Sequence, residues 1–401
     1  MVMTRARFYL SVVVATWAML LAGCGGKGES AAAPAGFKVE TLDGRVTLTW
    51  DTVAGVEYWA FYAAADGVTP NNWTQLTSGR AVVNVTSPYV ITGLANGTKY
   101  SFSLNGRIGG GPGGPGAVAV SATPRLAGGA WVAGAALAGA ELNAVTASGL
   151  AVPYVAVGNG GAVQTSADGL TWAARTSGTT ADLYSVATNG TLTVAVGKGG
   201  VALSSANSGE TWATANSTTT QDLRTVVFGG TTFIAAGAGG VVLGSADGVT
   251  WTTRASGVTT TILGGAYVNS TYILVGAGGT VLTSTDAVTW NNRTIAGAGN
   301  LNAATYGAAQ YIVVGDSGAA YSSADGITFT TQTTGVTQKL NAVFAGSQLI
   351  AVGEAGTILT STDGKTWAKV NAGVSSALTG ITARNAVYVI VGRGGVNLTS
   401  K

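Results

Sequence analysis

The groups with most chemical potential in this 401-residue chain are carboxylates, because histidine is absent and Cys24 is its one cysteine. Lack of imidazole removes the usual general base near neutrality, and one thiol builds neither a disulfide nor a His/Cys zinc site within the chain. No metal and no cofactor are expected. Five aspartates, Asp168, Asp247, Asp286, Asp325 and Asp363, recur in runs of the form Ser-x-Asp-Gly-x-Thr-aromatic, with Ala287 in place of Gly after Asp286, and Asn207 takes the same place in a sixth, one residue longer. Five near-identical copies cannot all form one active site. Their content is a turn in which Ser and Asp side chains bond the local backbone and Gly permits positive φ. A second pair, Asp316 and Glu354, follows glycine in neighbouring segments. Two carboxylates at a controlled separation are what glycosidic-bond cleavage requires, but solvated turn residues account for them as well. No residue is assigned a catalytic role.

The elements that position these residues repeat. The closing aromatics are Trp131, Trp172, Trp212, Trp251, Trp290, Phe329 and Trp367, spaced by 41, 40, 39, 39, 39 and 38 residues. A period near 40 with several short strands per unit predicts an all-β, seven-bladed β-propeller. In the first unit the strands are expected at 142–146, 154–157, 162–165 and 171–174, and later inner strands begin near Leu183, Leu223, Ile262, Leu301, Leu340 and Leu378. The seventh unit stops after Val396–Ser400, and its missing outer strand is anticipated in Ala130-Trp131-Val132, so the two ends of the domain at 128–401 pair and close the ring. Closure removes edges that invite aggregation.

The Asp-bearing turns resemble the Asp-box of the bacterial neuraminidase repeat, found also in propellers of the photosystem II assembly-factor type. That resemblance implies a ligand face made by the turns between second and third strands, opposite the Asp-box turns. There Gly-x-Gly-Gly or a variant offers one variable position per unit: Asn159, Lys198, Ala238, Ala277, Asp316, Glu354 and Arg393. In ring order the polar entries are contiguous, and Arg224 is expected at the same mouth. Asn159, Lys198, Arg224, Asp316, Glu354 and Arg393 are therefore the candidate ligand-binding set. The arginine triad, Tyr nucleophile and acid of sialidases do not map onto this chain.

Ahead of the repeats, residues 36–125 alternate with period two in runs such as Val46-x-Leu48-x-Trp50 and Tyr100-x-Phe102-x-Leu104. Such runs predict an antiparallel sandwich. The segment resembles a fibronectin type III domain through Trp50, through Leu94-Ala-Asn-Gly-Thr-Lys-Tyr100 and through its Gly-Pro-Gly-Gly-Pro closing region. Further upstream, Arg5 and Arg7 precede an apolar run ending in Leu21-Ala22-Gly23-Cys24, which resembles the lipobox of bacterial lipoproteins. The resemblance implies a signal peptide over 1–23, lipid attachment at Cys24, a tether over 24–35 and, with Gly25 following, the outer membrane of the cell envelope.

Charged residues form only 9% of the chain, and without residues 1–23, which hold Arg5 and Arg7 and no acid, 18 basic side chains face 17 acidic ones. Such a balance implies no nucleic-acid partner. The expected function is a monomeric, non-enzymatic binding protein, anchored to the membrane and recognising a protein or polysaccharide with its propeller face. The alternative is a carbohydrate-active enzyme of sialidase type.

Overall fold

The computed structural model describes residues 28–148 and 153–401. Cys24, the segment before it and the first residues of the tether lie outside the described residues. Two compact units are present, one built from residues up to Val39, Leu48–Tyr89 and Lys99–Ala122, the other from Glu40–Thr47, Val90–Thr98 and Thr123–Lys401.

The first unit carries a five-stranded antiparallel sheet in the order Glu29–Ser30, Tyr100–Ile108, Val56–Ala63 and Arg80–Val85, with Val120–Ala122 also paired to Tyr100–Ile108. Trp50 and Tyr58 are buried with ring centroids 5.4 Å apart, and the Tyr58 hydroxyl accepts the Val53 N–H at 2.8 Å. The alternation read from Tyr58 and Ala60 is a buried face. Composition assigns residues 29–30 to a tether, yet they pair with Ile108 and Arg107 and Ala31 is buried. Backbone pairing needs no apolar side chains, so no periodicity announces it. A separate three-stranded sheet orders Lys38–Leu42, Arg45–Thr49 and Tyr89–Thr92.

Among the described residues of the second unit lie seven four-stranded antiparallel sheets. The first comprises Leu142–Ala147, Tyr154–Gly158, Val163–Ser166 and Trp172–Arg175. The other inner strands are Leu183–Thr188, Leu223–Gly229, Ile262–Val268, Leu301–Gly307, Leu340–Ala345 and Leu378–Arg384. Each second strand is apolar past its first residue because it is covered on both faces, as at Tyr154–Gly158 and Thr193–Gly197, where every residue is buried. Val155, Val157 and Val163 of the first sheet pack with Leu183, Val186 and Leu203 of the second, and Leu142, Val145 and Tyr154 pack with Val389 and Val391 of the seventh. Inner strands approach closely enough to exclude a side chain at Gly264, where a Cβ would lie 2.0 Å from the Asn302 carbonyl oxygen.

The seventh sheet takes its outer strand from the start of the unit. Val132–Ala133 pairs with Asn397–Ser400 through Thr399 with Val132 and Leu398 with Ala133. Trp131, just ahead of that strand, packs where Ile350 and Ile358 of the sixth sheet meet Ile390 and Leu398 of the seventh. The other repeat aromatics do likewise, each filling the space between its own sheet and the preceding one: Trp172, Trp212, Trp251, Trp290, Phe329 and Trp367. Burying such a ring contributes up to about 5 kcal/mol.

The Asp-box turns have the bonding the sequence implies. Ser166 Oγ accepts the Gly169 N–H at 2.8 Å, while Asp168 Oδ1 accepts those of Leu170 and Thr171 at 2.8 and 2.7 Å. The pattern repeats at Asp247, Asp286, Asp325 and Asp363. Asn207 Oδ1 accepts the Thr211 N–H at 3.0 Å, so a neutral amide serves too. Glycine suits the turn because its φ is positive, 67° at Gly248, but it is not obligatory: Ala287 takes the same place in the Asp286 turn at φ 62°. Backbone amides of the second and third residues onward hold the Asp247, Asp325 and Asp363 carboxyls at about 2, and they hold Asp286 lower still.

Two outcomes follow. A carboxyl depressed in the fold stabilises it fully above its unfolded value, and that contribution is lost as pH falls through the folded one. The melting temperature is therefore flat above about pH 5 and drops between about pH 4 and pH 2. Replacing Asp247, Asp286, Asp325 and Asp363 together by Asn flattens that limb, as measured by thermal melts across pH; an unchanged acid limb refutes the assignment. Deleting residues 129–136 bares the edge of Asn397–Ser400 and empties the Trp131 site. Loss of cooperative melting or aggregation is expected, and a melt like the parent's shows the pairing to be dispensable.

Candidate functional site

Seven side chains reach one mouth because of a defect repeated in every inner strand. Leu142 pairs with Gly158 and Ala144 with Val157, so Asn143 is skipped by the ladder; the same shift occurs after Leu183, Leu223, Ile262, Leu301, Leu340 and Leu378. A bulge of this kind re-aims the extra residue. The skipped residues are Asn143, Tyr184, Arg224, Leu263, Asn302, Asn341 and Thr379, and together with Lys339 and Arg393 they line a cavity of about 220 Å³.

Around this mouth stand the turns that follow the second strands. Their first residues are Asn159, Lys198, Ala238, Ala277, Asp316, Glu354 and Arg393. The next residue has φ between 53° and 66° in all seven turns. Glycine supplies that conformation in five of them, whereas Ser317 and Ala355 adopt it with a side chain.

Amides join the bulges to the turns. Asn143 Nδ2 donates to Asn159 Oδ1 at 2.8 Å and to the Leu183 carbonyl at 2.7 Å. Asn302 Nδ2 donates to Asp316 Oδ1 and to the Leu340 carbonyl, both at 2.9 Å. Asn341 Nδ2 donates to Glu354 Oε1 at 3.1 Å and to the Leu378 carbonyl at 2.9 Å. One side chain thus ties a sheet's turn to the inner strand of the next sheet. Thr379 does part of this work at the seventh sheet by donating to the Leu142 carbonyl at 2.9 Å.

On the second and third sheets the arrangement is charged and aromatic. Arg224 Nη2 bonds Asp222 Oδ2 at 2.7 Å, and its guanidinium carbon lies 4.1 Å from the centre of the Tyr184 ring. Burial pushes the Tyr184 hydroxyl up, Arg224 draws it down, and Asp222 and Asp182 raise it further. The remaining cations are held loosely: Lys339 Nζ is 3.7 Å from Asp316 Oδ1, and Arg393 Nη1 is 4.0 Å from Glu141 Oε2.

Of the residues singled out from sequence, Arg224 and Arg393 line the cavity. Asn159, Asp316 and Glu354 sit behind it as hydrogen-bond acceptors of lining asparagines. Lys198 is exposed on its turn and stands outside the lining. Besides Lys339, sequence reasoning missed the bulged residues Asn143, Tyr184, Leu263, Asn302, Asn341 and Thr379. Their signal was the column directly after each inner-strand Leu or Ile, in which Arg224 alone drew notice. Among the described residues no three His, Cys, Asp or Glu side chains gather as metal ligands, and no helix is long and apolar enough to cross a membrane.

Removing one tie measures its worth. Asn302→Ala removes the amide that bonds both the Leu340 carbonyl and Asp316 Oδ1 and lowers stability by about 1–2 kcal/mol, against less than about 0.5 kcal/mol for Lys198→Ala at the exposed rim. Denaturant melts of the two variants check this, and equal losses contradict a tying role for the amide.

No family model matches the chain, and no curated protein does. Solved structures are similar in fold. YCF48 from Cyanidioschyzon merolae aligns with a TM-score of 0.55 at 18% identity, covering 68% of this chain and 98% of that one. YCF48 bound to D1 peptide aligns with a TM-score of 0.58 at 18% identity over 70% and 99% of the two chains. The WD40 β-propeller domain of Doa1 aligns with a TM-score of 0.55 at 13% identity over 68% and 96%. The second unit therefore has the β-propeller fold.

Proposed function

We propose that this chain is a non-enzymatic protein-binding scaffold that recognises its partner at the propeller mouth. The observation that carries the reading is convergence: seven bulged inner-strand residues, each from a different sheet, meet at one polar cavity, and the rim carboxylates of Asp316 and Glu354 accept hydrogen bonds from its asparagines. A similar propeller is recorded with a peptide, YCF48 bound to D1 peptide, which supports a protein segment as the ligand class. On this reading the propeller has seven blades closed by its own termini, and the fibronectin type III-like unit acts as a spacer. The lipobox-like Leu21-Ala22-Gly23-Cys24 supports a lipid on Cys24 that holds the protein, as a monomer, at the outer membrane of the cell envelope. Two signals would otherwise be needed for stable anchorage of a chain with a single acyl group, and a lipoprotein-type N-terminus supplies more than one.

Site-specific photocrosslinking tests the site. A benzophenone side chain at Leu263, in the mouth, is expected to trap protein adducts of defined mass that a probe at Ala173, exposed on an outer strand, does not. Adducts should weaken when Asn341 or Arg393 is replaced by Ala, and identical trapping from both probe positions would remove the mouth as the site. In the same cells, Cys24→Ser is expected to move the chain out of the membrane fraction; retention there contradicts the anchor.

A further inference from the structure

We propose that the propeller mouth seats a carboxylate of the protein partner, from an acidic side chain or from a chain end. This rests on the protein-binding reading above and gives its chemistry. The cavity, about 220 Å³, is below the roughly 300–1,000 Å³ common for whole small-molecule ligands and suits one side chain or terminus. Its charged lining groups are Arg224, Lys339 and Arg393; no carboxylate lines it.

The acids beside these cations are each engaged in part by other donors. Asp316 accepts the amide hydrogens of Asn302 and Asn300, Glu141 Oε1 accepts the Gly394 N–H at 3.2 Å, and Asp222 Oδ1 accepts the Gly199 N–H at 2.9 Å. Lys339 and Arg393 therefore stand at 3.7 and 4.0 Å from their acids, beyond hydrogen-bond length, with donors unspent. Arg393 Nη1 is shielded from solvent and has no hydrogen-bond acceptor. Arg224 is fixed by Asp222 at one end and by the Tyr184 ring beneath it, and a guanidinium carries five N–H donors, so most remain to offer. A ligand that satisfies all three must bring acceptor oxygens with negative charge, and a carboxylate does so with geometry that arginine matches. Asn143, Asn302 and Asn341 have donated both amide hydrogens, and their carbonyl oxygens are left to accept N–H groups of the segment that carries the acid.

The test applies the purified full chain, in detergent, to three sets of immobilised nonamer peptides that share randomised flanks. One set has a central Glu and an amidated C-terminus, one a central Gln and an amidated C-terminus, and one a central Gln with a free C-terminal carboxylate. Retention by at least one carboxylate set about tenfold above the Gln-amide set is expected, as for one charge-assisted hydrogen bond, and the set retained identifies side chain or terminus as the source. Lys339→Gln and Arg393→Gln should each erase the preference, and Arg393→Lys should restore part of it. Lys198→Gln, which removes the same charge from the rim, should keep it. Equal retention of all three sets overturns the carboxylate seat while leaving the protein-binding reading in place, as does equal loss in Lys198→Gln. Retention of none by a chain that melts cooperatively overturns both.

Discussion

Burial of both faces of every second strand is the constraint on which the rest of this molecule depends. A sheet in the propeller unit is apolar on both sides, so each must find a neighbour on each side before its core is dry. Val155 and Val157 face the second sheet, Tyr154 and Ala156 the seventh. That demand propagates from sheet to sheet. It also explains why the repeat aromatic sits between sheets instead of within one: the space there widens away from the inner strands, and a ring held by its own Asp-box turn fills it. Trp131, Trp172 and Trp212 fix the depth of insertion by donating Nε1–H to the carbonyl three residues earlier, each at 3.0 Å.

Such a skeleton leaves few columns free to vary. Second strands must stay apolar, Asp-box turns must keep their bonding groups, and the third residue of each mouth turn must be glycine, since a Cβ on Gly161 would lie 1.9 Å from the Thr179 carbonyl oxygen. What remains is the bulged residue and the first residue of the turn. The bulged residues line the mouth, the first turn residues stand around it, and asparagine amides couple the two in the first, fifth and sixth sheets. Individual character is consequently concentrated around the mouth, in keeping with the general tendency of sites to be grafted onto a scaffold that does not itself specify them.

Much of the scaffold was legible because it is periodic. Spacing of the aromatics located the repeats, and the shortfall after Ser400 pointed to a strand near Trp131, which the pairing of Val132–Ala133 supplies within a residue or two. The Asp-box aspartates were legible as turn residues because their multiplicity argues against a single catalytic centre. The mouth was legible only in part. Periodicity of two assigns faces to strand residues, and a bulge inverts that assignment at one residue without leaving a mark in composition. Asn143, Asn302 and Asn341 therefore look like ordinary strand-edge polar residues until the register is known, whereas Arg224 stood out by charge alone. Strand Glu29–Ser30 was hidden for a related reason: its stabilisation is backbone pairing, which composition does not encode.

Departure from glycine at Ser317 and Ala355 lies within the same sector as the asparagine ties. A left-handed residue with a side chain costs about 1–2 kcal/mol and persists where surroundings over-determine it. Those surroundings are visible: the residue before Ser317 is Asp316, bonded by Asn300 and Asn302, and the residue before Ala355 is Glu354, bonded by Asn341. Turns bonded to side chains at their first residue can carry a strained second residue that the alanine-led turns at Ala238 and Ala277, each followed by glycine, do not. The amides that stabilise the fifth and sixth sheets are then the same groups that rigidify the acidic rim, so stability and preorganisation at this mouth share one set of hydrogen bonds.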